Sequence, residues 1–175
     1  DFVKKENGGG MMVDALRYYL TAIAPETKDS EFTWKGFQDA LNSELVAIFG
    51  NFVNRTFVLM HKLCNGKVPP LHTDMLDEAD KNILAAAKST KELIEQHIEQ
   101  YRFRDALFEL IDLARKGNRY MQEKEPWILA KTLDKPEATE EEKTLARKKI
   151  DNSLHACLQL TANLAILANP FLPNT

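Results

Sequence analysis

The sequence predicts an all-α fold, a helical bundle of about five helices. Three observations predict it. No stretch alternates apolar and polar residues with the two-residue period of a strand, whereas apolar residues recur at three- and four-residue spacing between Pro, Gly and cap residues. No internal repeat of the solenoid kind is visible. One stretch, Leu45–Met60, carries a single charge, Arg55, and apolar residues on almost every side of the helix it forms, which predicts a central, largely buried helix.

Taken in order, Asp1–Asn7 reads as an irregular lead-in, broken by the run Gly8–Gly10. Met11–Ile23 is a compact helix with Leu16, Leu20 and Ile23 as its core stripe, stopped near Pro25. Thr33 caps a long helix that starts at Trp34, runs through Leu45–Met60 and ends near Asn65-Gly66. Its length is roughly 45 Å at the α-helical rise. Pro69-Pro70 lies in an extended connector. Met75–Gln100 follows as a helix with Leu76, Ala79, Ile83, Ala86, Leu93 and Ile98 inward and a charged outer face. Tyr101–Phe103 makes a corner into Phe103–Met121, whose core candidates are Phe103, Ala106, Leu107, Leu110, Leu113 and Ala114. Pro126 suits the first position of a short helix reaching Leu133. Thr139 and Glu142 form a capping box for the last helix, which ends at Asn169-Pro170. Its final third, Leu158–Leu167, is apolar nearly all round and is expected to be buried. Phe171–Thr175 supplies no closing element, as expected of part of a longer chain. Residues 1–12 read as a lead-in and 13–175 as the bundle.

At 175 residues with 44% apolar side chains the chain is long enough for one domain with a real core. A net charge of −3 gives no global attraction for nucleic acid, so any such role needs a local site. Cys64 and Cys157 have neither zinc nor disulfide-framework spacing, which fits a reducing compartment. No apolar run approaches the roughly 20 residues of a membrane span, and the first residues lack a signal-peptide pattern. A soluble, cytoplasmic and monomeric protein is expected, with no membrane or DNA partner.

Catalytic patterns are missing. A di-iron bundle needs Glu-x-x-His pairs, and no Glu or Asp stands three residues before His61, His72, His97 or His155. There is no phosphate loop, and Gly8–Gly10 follows no strand, so it reads as a flexible linker. The chain is expected to be non-catalytic, with no metal or cofactor of its own.

Two features go beyond a core. Asn51 and Arg55 are four residues apart and share a helical face, with Asn54 beside them. Amide and guanidinium together can read a nucleobase edge and hold a phosphate. Alternatively, Arg55 pairs with a carboxylate of a neighbouring helix and Asn51 caps a backbone group, because a cation in an apolar face is costly unpaired. Trp127, after Pro126, offers a flat ring on which an unpaired base stacks for roughly 1–3 kcal/mol; alternatively it closes the core beneath the loop.

A resemblance bears on both. Val13-Asp14-Ala15-Leu16-Arg17-Tyr18-Tyr19, Asn42 and Leu45 followed by Gly50-Asn51-Phe52-Val53-Asn54-Arg55, Asn118-Arg119-Tyr120-Met121 leading to Pro126-Trp127, and Asn169-Pro170-Phe171-Leu172-Pro173 occur in the order of the methionyl-tRNA synthetase family, class I aminoacyl-tRNA synthetases. The chain resembles the C-terminal anticodon-binding domain of that family over about Val13–Pro173. The first string is shared among several class I synthetases; the Asn51/Arg55 pair with Pro126-Trp127 is more specific to the methionine enzymes. The resemblance implies recognition of the CAU anticodon of tRNA(Met). Asn51 and Arg55 would hydrogen-bond the first anticodon base, Trp127 would stack on it and Pro126 would position the ring, with Lys62 a candidate for a backbone phosphate. It implies a parent methionine–tRNA ligase that uses ATP and carries zinc in its connective region, neither of them in this chain, which lacks the catalytic part and should be inactive alone. The readings set against it are a non-catalytic protein-interaction bundle and, more remotely, a metal-dependent bundle enzyme.

Overall fold

In the computed structural model, residues 9–26 and 29–175 are described, and every regular element among them is helical. These are α1 (Gly9–Ala22), α2 (Trp34–Ala40), a π-helical segment (Leu41–Gly50), α3 (Asn51–Cys64), a 3₁₀ turn (Thr73–Met75), α4 (Glu78–Glu99), α5 (Phe103–Lys124), α6 (Pro126–Leu133) and α7 (Glu140–Ala168). The expected lead-in over 1–8 lies outside the described residues. Gly9 and Gly10 do not break the chain but open α1, ahead of the boundary drawn at residue 13.

Local chemistry accounts for most ends. Thr33 accepts from the Gly36 N–H at 3.0 Å. Asp77 and Asp80 form a reciprocal capping box at α4, as Thr139 and Glu142 do at α7. Asn65, left-handed with φ 52°, ends α3. Tyr101 turns the α4–α5 corner at φ 59°. Helix α5 runs past Met121 to Lys124, and Glu125, at φ 43°, turns the chain so that Pro126 starts α6.

The core is built on α5, which buries Ala106, Leu107, Leu110, Ile111, Leu113, Ala114, Gly117, Tyr120 and Met121 between α4 and α7. Phe103 opens α5 at the outer corner and is exposed, contrary to expectation. The buried stripe of α4 is Asp80, Ile83, Ala87, Thr90 and Ile94. Leu93 is one position off that stripe and faces solvent. Helix α1 buries Asp14, Tyr18 and Tyr19, whereas Leu20 is exposed. Three helices meet at Gly117, where a Cβ would come 2.7 Å from both Leu160 of α7 and Phe52 of α3. That close approach seats α3 on the core through Phe52, which is completely buried.

Two expectations of all-round burial are wrong for one reason. Trp34–Cys64 is a continuous helix, yet it lies along one side of the bundle. Only Phe52, Thr56, Met60 and Cys64 are fully buried, and Val46, Phe57 and Val58 are exposed. In α7, Leu160, Leu164 and Leu167 are buried but Ile166 is 72% exposed. A helix with neighbours on one side buries one stripe, however apolar the rest of its circumference.

The C-terminal residues do close the fold. Phe171 and Leu172 are buried against the main core. Arg17 Nε and Nη2 donate to the carbonyl oxygens of Phe171 (3.2 Å) and Pro170 (2.9 Å). Asp14 accepts from the Asn174 N–H (2.7 Å), Asn174 Nδ2 (3.0 Å) and Thr175 Oγ1 (2.8 Å). The Asp14–Arg17 string thus serves as the socket for residues 170–175, Arg17 holding Pro170 and Phe171 and Asp14 holding Asn174 and Thr175.

Candidate nucleic-acid interface

The π-helical segment aims the face that follows it. Its wider turns advance side chains by a smaller angle per residue than an α-helix, so the direction of Asn51 and Arg55 is not the one an uninterrupted α-helix from Trp34 would assign. Two buttresses hold the segment: Tyr18 Oη donates to Glu44 at 2.5 Å, and Asn118 Nδ2 donates to the Ile48 carbonyl at 2.9 Å.

Arg55 finds its partner across the bundle. Its guanidinium carbon stands 5.3 Å from the centre of the Trp127 ring, a cation–π contact between α3 and the start of α6. Among the described residues no carboxylate lies within ion-pair distance of Arg55, and its N–H groups make no hydrogen bond, so the expected alternative of a neighbouring carboxylate does not occur. Burial pushes the Cys157 thiol up to about 12, opposed by the positive charge of Arg55. Cys64 and Cys157 are free, buried thiols.

Trp127 is half-buried: one part packs on the main core and another borders a groove of about 400 Å³ with Leu59, Lys62, Leu63 and Lys131. Neither full exposure nor closure of the core describes it. Pro126 is buried, so it can orient the ring but offers no surface. Lys62 is exposed along the same groove.

Asn51 is exposed, one turn before Arg55, and its Nδ2 donates to Asn118 Oδ1 at 3.4 Å. Asn118 also bonds the carbonyls of Ile48 and Ala114. It is the site residue that sequence reasoning passed over. The signal for it was its place at the head of the Asn118–Met121 string. Asn51 and Asn54 also border, on the other flank of α3, an open apolar groove of about 1090 Å³ lined by Leu41, Leu45, Val46, Phe49 and Phe57.

The corner carrying Trp127 is pinned by a partly buried polar network. Lys124 Nζ reaches Asp77 Oδ2 (2.5 Å) and Asp80 Oδ1 (2.6 Å), and Tyr120 Oη donates to the same Asp80 oxygen at 2.6 Å. Burial works against the Lys124 charge, but its bonds to Asp77 and Asp80 outweigh this and raise its pKa. Burial and the Asp80 carboxylate push the Tyr120 hydroxyl well above its usual range. The C-terminal end of α5 is therefore tied to the N-terminal end of α4 three residues before Trp127.

The class comes first from the fold. The chain superposes on solved structures of Mycobacterium tuberculosis methionyl-tRNA synthetase. For the free form the TM-score is 0.81 at 21% identity, covering 96% of this chain and 32% of that one. For the form described as bound by methionyl-adenylate it is 0.82, covering 96% and 31%. The architecture is thus one found within a class I synthetase. The family model described as the anticodon binding domain of methionyl tRNA ligase matches residues 70–175, and that for tRNA synthetases class I (M) matches residues 3–57. This chain belongs to the methionyl-tRNA ligase anticodon-binding family. Methionine--tRNA ligases of Porphyromonas gingivalis and Flavobacterium johnsoniae are each 46% identical, over 91% and 93% of the chain. That of Parabacteroides distasonis is 48% identical over 91%. The chain spans about a fifth of the length of these relatives, 21% in each case. Among the described residues no helix is long and apolar enough to cross a membrane.

Proposed function

We propose that residues 13–175 form one anticodon-reading unit, which binds the anticodon loop of tRNA(Met) by recognising CAU, as part of a methionine–tRNA ligase acting in the cytoplasm. The observation that carries this reading is the Arg55 guanidinium set 5.3 Å over the Trp127 ring, with hydrogen-bond donors unspent. A base stacked on Trp127 brings its Watson–Crick edge towards Arg55 and Asn51. Cytosine offers a ring nitrogen and a carbonyl oxygen as acceptors, and Asn51 Nδ2, held only by a 3.4 Å contact to Asn118, is ready to turn to one of them. Pro126 fixes the approach of the ring, and Lys62 meets a phosphate. ATP and the zinc of the connective region belong to the remainder of the ligase, and no residue of this chain is assigned to either. The chain acts as a monomeric module and does not itself charge tRNA.

The test is binding of anticodon stem-loop RNA with CAU and with the first anticodon base changed, followed by charging of tRNA(Met) by the whole ligase. Arg55→Ala and Trp127→Ala should each reduce the CAU preference at least about tenfold, the worth of a charge-assisted bond or a stacked base, with the far-ultraviolet circular dichroism unchanged. Full CAU preference and charging in both variants would overturn the assignment. Because Trp34 is also exposed, Trp127 fluorescence is best followed in a Trp34→Phe background.

One observation favours a second reading, a protein-interaction bundle: the apolar groove beside Val46 and Phe57. It lies on the flank of α3 away from Trp127. A Val46→Asp variant that loses a protein partner yet keeps CAU binding would assign the two faces to separate roles.

A further inference from the structure

A second groove, of about 420 Å³, lies beyond the C-terminal end of α6, bounded by His72, Leu133, Lys143, Arg147, Lys148 and Asp151. Leu133 also borders the Trp127 groove, so the two adjoin. Lys143, Arg147 and Asp151 lie at four-residue spacing on α7, with Lys148 next to Arg147. Arg147 is a structural member. Its Nη1 donates to the Leu63 carbonyl at 2.7 Å and its Nη2 pairs with Asp151 at 3.0 Å, latching α7 to the end of α3. His72 Nε2 meets the other Asp151 oxygen at 3.2 Å. Asp151, 4% exposed, is thereby answered by Arg147.

Lys148 makes no ion pair among the described residues, and Lys143 makes one that is loosely held. The carboxylate paired with Lys143, Glu140 at 3.4 Å, is 91% exposed and easily displaced. Lys62 and Lys131 extend the positive strip towards Trp127, with Asp134 as the carboxylate among them. A chain of net charge −3 therefore gathers lysines along one side of α6. Helix α6 is eight residues, about 12 Å.

We propose that this groove is a phosphodiester-binding site, with Lys143 and Lys148 as its contacts, holding the RNA backbone at the far end of α6 from the base on Trp127. The inference rests on the anticodon-binding reading and adds a sequence-independent contact to it. Phosphate contacts position the strand and the base contacts specify it.

The experiment measures binding of CAU stem-loop RNA, and of the same RNA with the first anticodon base changed, to the 175-residue chain across a salt series. The double variant Lys143→Gln with Lys148→Gln removes two half-buried charges that border the groove and leaves Arg147 in place. It should weaken both RNAs equally, about tenfold at 0.1 M salt, and reduce the slope of log affinity against log salt by roughly 1.4–1.8 for two lost contacts. The ratio between the RNAs should not move, whereas Trp127→Ala should move the ratio and not the slope. A CAU preference in the unsubstituted chain with unchanged affinity and slope in the double variant would overturn the groove and leave the anticodon reading standing. A fall in slope without any CAU preference would support the groove and overturn the anticodon reading. If inorganic phosphate at matched ionic strength erases the difference between the two proteins, the groove takes free phosphate rather than RNA backbone and the proposal fails.

Discussion

Arg17 and Arg55 each stand on a helix at the margin of the core, and their surroundings differ in kind. Arg17 donates to two backbone carbonyls of the C-terminal segment, and Asp14 one turn earlier accepts three hydrogen bonds from it. That region is closed: its polar groups are answered within the chain. Arg55 faces a ring and Asn51 a single distant amide. A guanidinium against an aromatic face is positioned without exhausting its donors. Closed polar sites add stability, whereas open ones hold hydrogen-bonding capacity in reserve for a ligand, at little benefit to the fold.

The contrast can be broken in several ways. Lys124→Met strikes the closed network beneath the open site. It leaves the Asp80 carboxylate, 3% exposed, without its cation, and should cost about 3–5 kcal/mol in urea unfolding. If the corner acts through Trp127, the CAU preference falls with it in the fraction that stays folded. Asp14→Ala should cost about 3 kcal/mol through three lost bonds to a charged acceptor, with CAU preference intact; a loss of preference at unchanged stability would reverse the comparison. Gly117→Ala forces Leu160 and Phe52 apart and should cost about 2 kcal/mol. Because Phe52 adjoins Asn51, this variant reports whether the open site tolerates movement of the helix that carries it. Asn118→Ala is the mildest, about 1 kcal/mol, and should change RNA binding more than unfolding, since it frees Asn51.

Acid sharpens the same comparison. Burial pushes the Asp14 carboxyl up, but hydrogen bonds from Asn174 and Thr175 and the charge of Arg17 outweigh it and hold the pKa below 3.8. Asp77 is lowered in the same way, burial being outweighed by its bonds to Lys124 and to backbone N–H groups. A folded pKa below the unfolded one contributes stability that is present above pH 3.8 and is lost as pH falls through the folded value. Asp14→Asn should flatten that part of the acid unfolding curve, read by circular dichroism, while Arg55→Ala should not.

Much of this was readable in one dimension. Thr33, Thr139, Asn65 and Pro126 mark helix ends in the sequence and do so in the fold, because a capping bond, a left-handed turn and a proline at the first helical position each depend on residues within about one turn of the chain. Helical spacing related Asn51 to Arg55, but only the resemblance joined Trp127 to them, and Asn118 was given no role in the site until its amide was seen bridging to Asn51 and to Ile48. Burial was overestimated wherever a helix was apolar all round, as at Val46, Phe57 and Ile166, since hydrophobicity does not say on how many sides a helix has neighbours.

The sequence by itself determined the helical class, most element boundaries and the family, all carried by short-range capping, periodicity and ordered local strings. Only the tertiary structure decided that the C-terminal segment closes on Asp14 and Arg17, that a π-helical segment turns the face of α3, and that Arg55 lies over Trp127. Each of these joins residues far apart in the chain or depends on how one helix is seated on another. Such contacts come from the packing of whole elements, and no local propensity encodes them.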